Sequence, residues 1–160
     1  MVHINIICIG KIKESFFRDA IDEYAKRLSR FCKLEITELN DEKIPNQSNI
    51  TIENQIKSKE GLDIIYHLKK DSYVIALDLT GKSYDSVQFS KKICDIYSNI
   101  NSDITFVIGG SLGLSQEVLS NCNELISFSK MTFPHQLIRI FLLEQIYRAF
   151  KIINNETYHK

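Results

Sequence analysis

Apolar and polar residues follow one another along this chain in two kinds of block: short runs dense in isoleucine and valine, and longer stretches with an apolar residue every third or fourth position. Residues 3–9 (HINIICI) form a run of the first kind, closed by Gly10, and predict a buried strand. In residues 14–31, Phe17, Ala20, Ile21, Tyr24, Leu28 and Phe31 recur at helical spacing with charges between them, which predicts an amphipathic helix. Residues 33–39 alternate as a strand does, and 40–49 (NDEKIPNQSN) read as a polar, proline-containing loop that carries no functional inference. A helix with a weak pattern is expected over 52–68, interrupted at Gly61. Strands at 73–79, 104–110 and 124–129 then alternate with helices at 87–97 and 115–120, and a last helix follows Pro134, a residue suited to a first helical turn.

Strand and helix thus alternate five times. That order predicts an α/β domain with a mainly parallel sheet and flanking helices, and such sheets bind ligands beyond the carboxyl ends of their strands. Three loops leave those ends in the second half: LTGKSY (79–84), GGSLGLS (109–115) and FSKMTFPH (128–135). The middle loop looks like a nucleotide site, yet GGSLG lacks the dinucleotide spacing G-x-G-x-x-G. ALDLTGKS (76–83) puts Ala76 where a phosphate loop needs its first glycine. A phosphate is therefore not the expected handle of the ligand. Paired glycines instead let a backbone approach a flat ring or a ribose closely, or simply make a turn.

Composition narrows the classes further. The 160 residues are 44% hydrophobic and 25% charged, enough for one cored domain, and no run of apolar residues is long enough to span a membrane, so a soluble cytoplasmic protein is expected. Four cysteines stand far apart with no C-x-x-C pair and no histidine at ligand spacing, so neither a metal site nor a disulfide framework is indicated. Twenty basic residues balance twenty acidic ones, which excludes a broad basic face for naked nucleic acid. From residue 128 onward, however, five lysines and arginines face two acids, a local excess suited to a polyanion touching one region.

The last helix is apolar around its whole circumference, from Leu137 and Ile138 to Ile152 and Ile153. Such a helix needs cover on every side, which predicts a two-fold homodimer built on it. His135 and Arg139 lie four apart on one face, and Glu144 and Arg148 four apart on roughly the opposite one, where an ordinary ion pair and a chemical role both stay open. The tail NNETYHK ends in Tyr158 and His159 on what is by default a disordered terminus.

With FVIGGSLGLS, SFSKMTFPHQLIRIFLLEQIYRAFKI and the closing YHK on view, the whole chain resembles the small bacterial methyltransferases of the SPOUT class that methylate N3 of a pseudouridine in 23S ribosomal RNA. The resemblance implies a single domain over 1–160 with a trefoil knot and cofactor site at about 73–153, a tail at 154–160, and a homodimer. It implies S-adenosylmethionine as cofactor, held by Leu77, Gly109, Gly110, Phe128, Ser129, Lys130, Met131, Thr132 and Phe133. For catalysis it points to His135, Glu144 or His159 as acceptor of the N3 proton, to Arg139 and Arg148 as holders of the uracil carbonyls or a phosphate, and to Tyr158 and His159 reaching the site from the partner subunit. The expected substrate is the assembled ribosome. The alternative is a ribosome-binding protein of the same fold without catalysis or cofactor affinity.

Overall fold

A computed structural model describes residues 1–160. The chain runs β1 (Val2–Ile9), α1 (Ser15–Leu28), β2 (Cys32–Leu39), α2 (Ile50–His67), β3 (Tyr73–Ser83), α3 (Ser86–Asn99), β4 (Asp103–Ile108), α4 (Gln116–Ser120), β5 (Glu124–Ser127) and α5 (His135–Ile153). The five strands form one sheet in the order β2-β1-β4-β3-β5, and every pairing is parallel. All carboxyl ends therefore open on one edge.

Side-chain alternation in the central strands sorts the core into two layers. Ile4, Ile6 and Cys8 of β1 join Phe106 of β4 on the face covered by α1, α3 and α5. Ile7 and Ile9 join Val107 on the opposite face, where Ile64 of α2 and Val118 of α4 cover them. Leu142, Leu143 and Ile146 give α5 its buried stripe between α1 and α3. Truncating any one of these three to alanine would cost about 2–5 kcal/mol, a large share of a domain's stability.

Several boundaries differ from the sequence expectation, most plainly those of α2, β3, β4 and β5. Helix α2 begins at Ile50, capped by the Asn49 side chain accepting from the Ile52 amide at 3.0 Å, and runs unbroken through Gly61. A Cβ at Gly61 would lie 2.4 Å from Ser115 Oγ, so this glycine lets α2 pack closely on the start of α4 instead of ending a helix. Strand β3 extends to Ser83 because its pairing with β5 slips: Leu77 and Lys82 both face Ile126, and the intervening residues bulge out. Gly81 sits so tightly there that a Cβ would come within 2.5 Å of the Ile126 backbone. Strands β4 and β5 stop at Ile108 and Ser127, which leaves Gly109, Gly110, Phe128 and Ser129 free to shape loops.

Candidate active site

The three strand-end loops converge on one cleft of about 450 Å³, within the roughly 300–1,000 Å³ of small-molecule sites. Its floor is backbone. In the turn after β4 the Gly113 amide donates to the Gly110 carbonyl at 3.1 Å, and Gly113 has φ +85°, a left-handed conformation that favours glycine. A Cβ on Gly109 would lie 2.9 Å from the Gly113 carbonyl, so the turn closes only without one. After β5, Ser127 Oγ donates to the Ser129 carbonyl at 2.9 Å and Ser129 Oγ accepts from the Met131 amide at 3.0 Å, folding the third loop back toward the glycine turn. Across the opening, Asp78 accepts from the Thr80 amide at 3.0 Å and thereby shapes the β3 bulge.

Leu77, Gly109, Gly110, Phe128, Ser129, Met131, Thr132 and Phe133 all line this cleft. Lys130 rides on the same loop with an exposed side chain and is not among the lining residues. Asp78, Thr80, Ser111, Leu112 and Ile138 line it as well. Sequence reasoning marked the loops of Thr80, Ser111 and Leu112 without naming these residues, placed Asp78 within the third strand and took Ile138 only as an apolar residue of the last helix; an acid at a strand's carboxyl end was the available signal for Asp78. No lysine or arginine lines the cleft, so an anionic phosphate would find no counter-charge, whereas Asp78 offers a carboxylate to a cation.

The residues expected to do chemistry do not gather at one point. His135, at the start of α5, is on the cleft wall. Burial, and then the neighbouring Arg139 charge, hold its pKa below the ordinary 6.5, with Asp41 and Glu14 opposing, so the imidazole is neutral at pH 7 and able to accept a proton.

Arg139 requires a correction. It is only 2% exposed and both terminal nitrogens are engaged elsewhere, while Nε is buried without a partner: Nη1 donates to Glu38 at 2.9 Å, and Nη2 to the carbonyls of Ile9 and Gly10 at 2.8 and 2.6 Å. It thus ties α5 to the carboxyl ends of β1 and β2 and cannot present its guanidinium to uracil carbonyls or a phosphate. Glu38 also accepts from the Ile12 amide at 2.9 Å and from Arg18 at 3.0 Å. Burial pushes the Glu38 carboxyl up, but these donors and the two guanidinium charges hold it below its usual range.

Glu144 and Arg148 pair along α5 at 2.7 Å, away from the cleft lining. The tail is not loose but folds back on them: Tyr158 donates to Glu144 at 3.1 Å, Arg148 meets His159 Nδ1 at 3.2 Å, and the guanidinium lies 4.7 Å from the Tyr158 ring centre. Burial, and then Glu144, raise the Tyr158 pKa, so its phenol stays protonated. His159 borders a separate cavity of about 510 Å³ whose wall includes Phe128 and Phe133, residues that also line the cleft.

This geometry has known relatives. The model of the family described as "Predicted SPOUT methyltransferase" matches residues 2–159. The chain belongs to the SPOUT methyltransferase family. Proteins named Ribosomal RNA large subunit methyltransferase H are 59% identical in Clostridium botulinum (strain Hall) and 57% identical in Clostridium novyi (strain NT), each over 159 residues, 99% of this chain and 100% of theirs. SPOUT membership accounts for a ligand cleft at the carboxyl edge of an all-parallel sheet.

Proposed function

We propose that this protein transfers a methyl group from S-adenosylmethionine to N3 of a pseudouridine in 23S ribosomal RNA of the assembled ribosome. Its relatives' names supply the methyl transfer and the ribosomal RNA. One observation supports the donor: the cleft is floored by Cβ-free backbone, lined without a lysine or arginine, and edged by Asp78, an arrangement suited to an adenosyl sulfonium and hostile to a phosphate. Gly109, Gly110 and the 128–133 loop would hold the nucleoside. Lys130 would contribute through its place on that loop.

The sulfonium supplies an already activated methyl group. The protein's task is then alignment, which can contribute about 7–11 kcal/mol, together with removal of the acceptor's imide proton. His135, neutral and on the cleft wall, suits the second role. Glu144, Arg148, Tyr158 and His159 do not line the cleft of their own chain, so they act on a substrate only if a second copy brings them there.

The reading therefore includes a two-fold homodimer built on α5. Phe141 remains 38% exposed on that helix, and Leu137, Ile138 and Ile140 are only half-buried, an apolar face suited to a partner. The trefoil knot over about 73–153 and the single methyltransferase domain over 1–160 belong to the same proposal. Calorimetric titration with S-adenosylmethionine, followed by mass spectrometry of 23S RNA from treated ribosomes, tests it. Binding plus one added methyl on pseudouridine supports the proposal, and absence of either contradicts it.

A further inference from the structure

A second cavity, of about 250 Å³, lies behind the glycine turn. It shares Gly110, Leu112 and His135 with the cleft, and its far wall is made by loop 40–49, including Asp41 and Lys43, and by Glu60 of α2. Glu60 is the unusual member. It is 6% exposed, and its one hydrogen bond is accepted by Oε2 from the Glu42 amide at 3.0 Å. Its other oxygen accepts nothing, and neighbouring Lys59 pairs with Glu42 instead. The carboxylate is aimed at the glycine turn: a Cβ on Gly110 would lie 3.5 Å from Oε1.

Burying a carboxylate without a cation is costly, and burial together with the nearby Asp41 and Glu42 charges raises the Glu60 pKa, although the Glu42 amide opposes this. No cation of the chain pairs with this carboxylate. The acids do not converge as a metal site. Lys43, exposed on the loop, puts one positive group in the same wall, so the cavity carries both signs of charge.

We propose that this cavity receives the zwitterionic amino-acid end of the methyl donor, with Glu60 taking the ammonium and Lys43 the carboxylate. The inference rests on the donor reading above. One ligand spans both cavities past Gly110 and Leu112, nucleoside in the cleft and amino acid behind the turn. Loop 40–49 thereby acquires a role in donor selection.

The test is calorimetric titration of the full-length protein with S-adenosylhomocysteine and with 5′-methylthioadenosine, which lacks the amino-acid end. Charge-assisted hydrogen bonds predict that the wild type binds the former about 10-fold or more tightly. Glu60→Gln keeps an acceptor for the Glu42 amide, and Lys43→Ala alters an exposed side chain, so both variants are expected to fold, with thermal midpoints as the check. Each should close the gap to about 3-fold or less by weakening S-adenosylhomocysteine alone. A gap that survives in both variants, equal weakening of both nucleosides, or a wild type that binds them equally overturns the subsite while leaving the donor reading intact. If neither nucleoside binds the wild type, the donor reading fails and the subsite with it.

Discussion

Helix α5 carries two arginines, Arg139 and Arg148, each paired with a glutamate, and the two pairs differ in almost everything but their chemistry. Arg139 is sealed among Glu38 and two strand-end carbonyls, so its charge is spent inside the protein. Arg148 holds Glu144 at a quarter-exposed surface, with Tyr158 and His159 laid over it. The first pair fixes where α5 starts and therefore where His135 stands on the cleft wall. The second pair has partners that can be exchanged. An arginine in a sequence motif is a candidate for substrate only where its donors are not already committed.

The largest separation of the two should come from Arg139→Ala. Removing this buried side chain leaves a cavity and strips the Ile9 and Gly10 carbonyls of their donor, while Glu38 keeps Arg18; a loss of about 3–5 kcal/mol is expected, so thermal unfolding should move down by about 10 °C. Arg148→Ala breaks a partly exposed pair worth about 1 kcal/mol or less, so its melting point should barely change. Its methylation rate on ribosomes should nevertheless fall by about 10²-fold or more, the scale of a lost positioning contact. Similar melting losses in both variants would erase the distinction.

His135→Ala should lower methylation by about 10²–10⁴-fold, as loss of a general base does, with S-adenosylmethionine binding changed far less. The pH profile sharpens this. The base is active when neutral and its pKa lies below 6.5, so the rate should be flat from about pH 7 upward and fall only in acid. Stability follows the same direction. The unfolded chain protonates His135 and Glu38 more readily than the fold does, so stability is lost as pH drops, first below 6.5 for His135 and then below 4.5 for Glu38. A melting point that rose on acidification across the first window would contradict the His135 assignment.

A change at Gly61 should touch stability alone. Alanine there forces Ser115 Oγ to move from 2.4 Å, and turning that side chain is the cheapest relief. A loss of about 1–3 kcal/mol by denaturant titration is expected, with donor affinity nearly unchanged because the glycine turn itself is untouched.

Much of the fold was legible because hydrophobic period and strand-helix alternation are local properties. The sheet needed β-rich runs such as 104–108, and the cleft needed only the rule that parallel strands open at their carboxyl ends. What escaped depends on packing across long sequence separations. Gly61 reads as a break in isolation and becomes a close contact only beside Ser115, 54 residues later. The β3 bulge exists because Lys82 re-pairs with Ile126. Arg139 resembles a substrate ligand until β1 and β2 bring Glu38 and the Ile9 carbonyl to it. The polar tail NNETYHK gives no periodic signal, since its order comes from Glu144 and Arg148 on another element.

The central claim is that a cleft on one subunit is completed by the tail of another. Two proteins expected to be inactive alone test it: Gly109→Val, whose cleft should be blocked but whose tail is intact, and a chain lacking residues 157–160, whose cleft should still bind S-adenosylmethionine. Co-expressed with different tags and purified as a mixed dimer, they should recover methylation of ribosomes, because the open cleft of one receives the intact tail of the other. A purified mixed dimer as inactive as either parent would show that cleft and tail must belong to the same chain.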